Sequence, residues 1–133
     1  MKYLKFIGLS LLVLVVAISY FYWENDIPLE TLKSKYTTAA SAFVDVMQMQ
    51  VHYRDEGNKN DSLPLVLIHG TGASLHTWEE SVKLLTDSFR VITLDLPAYG
   101  LTGPNPKRIY SQEFYEQFID EFNIPIPNQI KSL

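Results

Sequence analysis

The sequence predicts an α/β fold with a partly parallel sheet, preceded by one apolar helix. Three observations carry that prediction. Phe6 to Trp23 contains no charged residue. Leu65-Val66-Leu67-Ile68 is a continuous apolar run that ends abruptly in His69-Gly70-Thr71-Gly72, and Val91-Ile92-Thr93-Leu94-Asp95 repeats that plan before Leu96-Pro97-Ala98-Tyr99-Gly100. Between and after these runs lie two stretches whose apolar residues recur at helical spacing. Strands alternating with helices argue for an α/β sheet with parallel pairing.

As a helix, Phe6–Trp23 would span about 27 Å at 1.5 Å per residue, close to the thickness of a bilayer core. Lys2 and Lys5 precede it and Glu24, Asp26 and Glu30 follow it. The positive-inside bias then places the N-terminus in the cytoplasm and exports the rest, with Tyr20, Phe21, Tyr22 and Trp23 at the far interface. The expectation is a transmembrane signal anchor over residues 1–23 and a membrane protein whose C-terminal part is periplasmic or extracellular. The alternative is a secreted protein released by signal cleavage, for which Ala17-Ile18-Ser19 is the passable site.

Residues 24–40 read as a linker with some helical tendency, since Pro28 suits a first helical turn. Ser41 to Arg54 is rich in β-formers (Phe43, Val44, Val46, Val51, His52, Tyr53) and predicts an antiparallel pair meeting near Met47-Gln48-Met49, where the turn lacks Gly or Asn. Leu65–Ile68 has the pattern of a strand covered on both faces. Over Ser74–Ser88, Leu75, Trp78, Val82 and Leu85 form one apolar helix face. Arg90–Leu96 is the next strand. Pro97–Lys107, with three prolines and two glycines, is loop. Ser111 caps a helix running to Phe122, lined by Phe114, Tyr115, Phe118, Ile119 and Phe122. Residues 41–123 thus make the α/β domain, and 124–133, with two prolines and no period, a divergent tail.

The 133 residues carry 11 Lys+Arg and 15 Asp+Glu, a net charge of −4. Without Lys2 and Lys5, the part from Glu24 onward holds 9 basic and 15 acidic residues, a net −6. That surface repels nucleic acid. With no cysteine, a thiolate nucleophile, a disulfide framework and Cys-based metal sites are excluded. His52, His69 and His76 lack a ligand spacing, so no metal is expected, and nothing points to another cofactor.

From Ile27 to Asn123 the chain resembles the N-terminal part of an α/β-hydrolase fold protein. The resemblance rests on Val51-His52-Tyr53-Arg54-Asp55-Glu56-Gly57, Leu67-Ile68-His69-Gly70-Thr71-Gly72-Ala73-Ser74, Trp78 and Asp95-Leu96-Pro97-Ala98-Tyr99-Gly100-Leu101-Thr102-Gly103-Pro104, in order and at family spacing. Ala98 departs from the glycine usual in this subgroup. The resemblance implies a serine hydrolase acting on esters or related acyl bonds, with Leu65–Ile68 paired on one side to Arg90–Leu96. It also implies that a backbone N–H in the Thr71-Gly72 turn belongs to an oxyanion hole; the plain alternative is a strand-to-loop turn.

The family's Gly-x-Ser-x-Gly elbow does not occur, because glycines at 8, 57, 70, 72, 100 and 103 are never four apart. The expectation is therefore a chain cut before its nucleophile, acid and base, inactive alone and acting on an ester-like small molecule only in a full-length relative. The alternative is a non-enzymatic, membrane-anchored module that self-associates through the open Leu65–Ile68 edge. The resemblance implies that His69 is a hydrogen-bonded structural residue rather than a base and that Asp95 fixes the following loop; Trp78 reads as core. His52 and His76 have weaker claims. Ser74, Ser81 and Ser111 are nucleophiles by residue type only, with capping or surface roles favoured.

Overall fold

The structure, a computed structural model, describes residues 2–23, 26–61 and 63–123. The tail expected over 124–133 lies outside the described residues. Among the described residues four strands form one sheet: β1 (Ser41–Val46), β2 (Met49–Gly57), β3 (Leu65–Ile68) and β4 (Arg90–Leu94). Their spatial order is β1-β2-β4-β3. β1 and β2 are antiparallel, β2 and β4 are antiparallel, and β3 runs parallel to β4.

The hairpin turns where the sequence predicts. Val46 pairs with Met49, and both turn residues take positive φ, 49° at Met47 and 65° at Gln48. That is the type I′ signature, reached here without Gly or Asn because the twist of the flanking strands demands it. At the other end of β2, Arg90 grips Asp55 with two hydrogen bonds (Nε to Oδ1 3.0 Å, Nη2 to Oδ2 2.9 Å). Burial alone would push the Asp55 carboxyl up, but Arg90 and Lys59 together hold it below its ordinary value.

β4 is the covered strand, buried at every position. One face takes Ile92 and Leu94 into a core with Val46, Met49 and Val51. α4 (Gln112–Asn123) closes that core with Phe114, Phe118 and Phe122, one every turn, their rings stacked at 6.4 and 6.3 Å. Each such burial contributes about 1.5–3 kcal/mol. Ser111 caps α4, its Oγ accepting from the Phe114 N–H at 3.3 Å. On the other face a 3₁₀ turn (Leu75–Trp78) leads into α3 (Glu79–Leu85), which bury Leu75 and Val82.

Several expectations are corrected. β3 is not covered on both faces: Leu65 to Leu67 are half-buried and Ile68 is exposed, because the strand ends the described sheet. β4 stops at Leu94 rather than Leu96, since the Leu96 N–H leaves the ladder to donate to His69 Nε2 at 3.0 Å. The Ser74–Ser88 helix begins as a 3₁₀ turn and ends at Leu85. In keeping with its helical tendency, the linker contains a helix, α2 (Leu29–Tyr36), opened by Pro28. The Arg54 Nη2 donates to the Tyr36 carbonyl at 3.1 Å and so ties α2 to the sheet.

The transmembrane helix expected over residues 1–23 finds no support. α1 runs from Lys2 to Phe21, and among the described residues no helix is long and apolar enough to cross a membrane. The physical reason is its C-terminal end. Tyr22 and Trp23 fall outside the helix, and Lys5 still lies within it. The uncharged helical run from Phe6 to Phe21 spans about 24 Å, short of a core of about 30 Å.

Ala98 has φ +68°, the left-handed region where glycine carries no Cβ penalty. Its N–H donates to the Gly103 carbonyl at 3.1 Å, so the loop holds it there. Replacing Ala98 by glycine is expected to stabilise the chain by about 1 kcal/mol. Urea unfolding followed by circular dichroism checks this; an unchanged or lower midpoint would contradict the strain.

Candidate active site

The site is built on the C-terminal ends of β3 and β4. β3 delivers His69, and the chain then turns through Gly70-Thr71-Gly72-Ala73. The Ala73 N–H donates to the Gly70 carbonyl at 3.3 Å, closing a four-residue turn. Gly72 sits at its third position with φ +75°, where a type II turn requires positive φ. Thr71 and Gly72 are exposed. Among the described residues, neither N–H has an acceptor in the chain. Two unengaged N–H groups on a strand-end turn are the donors an oxyanion needs.

His69 lies behind this turn, buried, with both ring nitrogens occupied. Nε2 accepts from the Leu96 N–H, and Nδ1 donates to the Gly70 carbonyl at 2.8 Å. Its one lone pair is therefore spent on the backbone, and it cannot take a proton from a substrate without breaking that bond. It pins the end of β3 to the strand-end loop of β4, as a structural histidine.

Asp95 is the hub of the other loop. It is 1% exposed. Its Oδ1 accepts from the Leu75 N–H at 2.8 Å. Its Oδ2 accepts from the Leu101 N–H at 2.9 Å and from His52 Nδ1 at 2.8 Å. The Thr102 hydroxyl donates to the Asp95 carbonyl at 2.8 Å. One side chain thus holds the segment after the oxyanion turn and the loop around Gly100. Burial pushes its carboxyl up, but His52 and the Leu101 and Leu75 N–H groups outweigh that and keep it below the ordinary 3.8. Gly100 has φ +52°, and any Cβ there would collide with the Asp95 carboxylate.

The remaining residues fall away from the turn. His76 Nδ1 lies 2.6 Å from Glu79 Oε1, and Glu79 also accepts from Arg54 Nη1 at 3.0 Å, so His76 belongs to an ion-pair network at the start of α3. Ser74 precedes the 3₁₀ turn without a side-chain capping bond. Ser111 caps α4, and Ser81 lies within α3. Trp78 is half-buried, with its indole nitrogen enclosed and unpartnered. A cavity of about 290 Å³ lies beside Asp95, lined by Leu32, Tyr36, Ser74, His76, Gly100 and Leu101. From the sequence, His52 had only a weak claim. It is fully buried and joined to Asp95, and the signal was its position on the same strand face as Arg54.

A family model described as alpha/beta hydrolase fold matches residues 64–128. The chain is of the α/β-hydrolase fold. Its sheet order and strand-end turns correspond to the N-terminal part of that fold. A pimeloyl-acyl-carrier-protein methyl ester esterase of Legionella pneumophila is 30% identical over 74 residues, which make up 56% of this α/β-hydrolase chain and 30% of the esterase. The Cif epoxide hydrolase of Acinetobacter nosocomialis superposes with a TM-score of 0.58 at 26% identity, covering 74% of this chain and 34% of that one. A membrane phospholipase A described as a bacterial virulence factor superposes with a TM-score of 0.59 at 27% identity, covering 92% of this chain and 39% of that one. The chain thus spans about a third of the length of these relatives.

Asp95→Asn is expected to lower stability by about 2–3 kcal/mol at neutral pH, because a charged acceptor of three hydrogen bonds is lost. The Asp95 pKa is depressed on folding. Its contribution is therefore complete above the unfolded value and fades as pH falls through the folded one. The stability gap between wild type and variant should narrow below about pH 4. Denaturant titrations at several pH values check this; a constant gap would refute the linkage.

Proposed function

We propose that these residues form the N-terminal portion of an ester hydrolase, whose Thr71-Gly72 turn helps stabilise the tetrahedral oxyanion. The observation that carries the reading is the pair of unengaged N–H groups at the end of β3, on a turn held by His69 and followed by a segment held by Asp95. Relatives named as a methyl ester esterase and a phospholipase A support ester chemistry. The elbow serine is not among the 133 residues, which contain no Gly-x-Ser-x-Gly. The chain alone is inactive in sustained turnover.

The expected outcome is no continuous hydrolysis of p-nitrophenyl butyrate by the 133-residue chain. A longer polypeptide that adds an elbow serine should hydrolyse it. In that polypeptide, Gly72→Val, which puts a β-branched residue at a positive φ, should reduce kcat by about 10²–10³-fold, the cost of one oxyanion donor. Unchanged kcat in a folded variant would sink the oxyanion role.

A second reading is favoured by α1 and β3. Phe6, Leu11, Val15 and Val16 are 57–60% exposed, so apolar surface extends around the helix. β3 pairs on one side only among the described residues. We propose that α1 seats the chain on a lipid membrane, with the remainder exported, and that the β3 edge pairs with a second copy. Flotation with phosphatidylglycerol vesicles should carry the whole chain upward and leave a chain lacking residues 2–23 behind. Equal flotation of both would count against a membrane role for α1.

A further inference from the structure

The Ser41, His52 and Asp95 side chains form a continuous relay. β1 and β2 place Phe43 opposite His52, so Ser41 is the diagonal neighbour of His52 on the same face of the hairpin. The Ser41 Oγ lies 3.0 Å from His52 Nε2, and His52 Nδ1 lies 2.8 Å from Asp95 Oδ2. The carboxylate can only accept, so Nδ1 carries a proton, and in the neutral imidazole Nε2 presents its lone pair. Ser41 therefore donates its hydroxyl proton to Nε2.

His52 is held in that orientation from every side. It is fully buried, its ring packs against Phe43 at 5.0 Å, and its own N–H donates to the Thr102 hydroxyl at 3.0 Å. The base cannot turn away from the serine. Ser41 itself is half-buried, the first residue of an edge strand, and reachable where His52 is not. The Thr38 N–H donates to the Ser41 Oγ at 3.0 Å. That bond fixes the position of the Ser41 hydroxyl oxygen.

We propose that Ser41 is a nucleophile activated by His52, with Asp95 orienting the imidazole, and that it accepts an acyl or phosphonyl group from an activated electrophile. The arrangement of roles is the one that activates serine in hydrolases, here in residues that lie outside the Thr71-Gly72 turn. With an alkyl fluorophosphonate the Ser41 Oγ bonds to phosphorus and the P–F bond breaks. His52 Nε2 takes the hydroxyl proton, which leaves with fluoride as HF. The product is a stable phosphonate ester on Ser41, formed once per chain.

The test is labelling of the 133-residue chain with an alkyl fluorophosphonate, followed by peptide mass spectrometry to locate the adduct. Ser41 should be modified about 100-fold faster than the same residue in urea-unfolded chain, the range of a positioned general base. Ser41→Ala should remove the adduct while keeping the wild-type circular dichroism spectrum, and Ser74→Ala should keep it. No adduct, an adduct only on another residue, or equal labelling of folded and unfolded chain would each overturn the proposal. None of these outcomes bears on the oxyanion turn, whose test is sustained ester hydrolysis in a longer polypeptide.

Discussion

A carboxylate removed from water must find its hydrogen-bond donors within the protein, and Asp95 finds three of them in three separate segments. Leu75 brings the segment after β3, Leu101 brings the loop after β4, and His52 brings the hairpin. An unpaired charge at that depth would cost several kcal/mol, so the three segments are fixed together or the fold gives way. The placement of the Thr71-Gly72 turn follows from this constraint. So does the requirement for glycine at position 100, where the carboxylate occupies the space a side chain would need.

The second constraint is the covered strand. β4 lies between β2 and β3 and is buried along its length, so both of its faces must be filled. α4 fills one with a phenylalanine at every turn, and the 3₁₀ turn and α3 fill the other with Leu75 and Val82. The strand ends at Leu94 because the next two residues have polar work: Asp95 gathers loops, and the Leu96 N–H holds His69. Packing in the sheet and polar contacts at its end are therefore coupled through one short segment. The same coupling keeps His69 from acting as a base and leaves the exposed turn N–H groups as the available chemistry there.

Much of this was legible in the residues. The helical spacing of Phe114, Phe118 and Phe122 marked α4, the apolar runs marked β3 and β4, and the β-formers around Met47-Gln48 marked the hairpin. The structural role of His69 and the loop-fixing role of Asp95 followed from the family resemblance rather than from their places at strand ends. The misses have physical causes. Apolar content could not say which strand lies inside: the wholly apolar Leu65–Ile68 is the more exposed, while Arg90–Leu94, with Arg90 and Thr93, is buried because it has a neighbour on each side. The extent of α1 turned on where the helix stops, and an aromatic cluster at a helix end leaves that boundary open. Ser41 and His52 lie eleven residues apart across a turn and 3.0 Å apart in space, a proximity set by strand register.

By itself the sequence determined the α/β class, the identity of most elements, the family resemblance and the absence of an elbow serine, because periodicity, turn chemistry and motif spacing are local properties of the chain. Tertiary structure alone decided the strand order, the exposure of β3, the strained φ of Ala98 and the union of Ser41, His52 and Asp95. Those depend on which distant segments meet, and the meeting is governed by burial of β4 and by the hydrogen bonds that a buried carboxylate must collect.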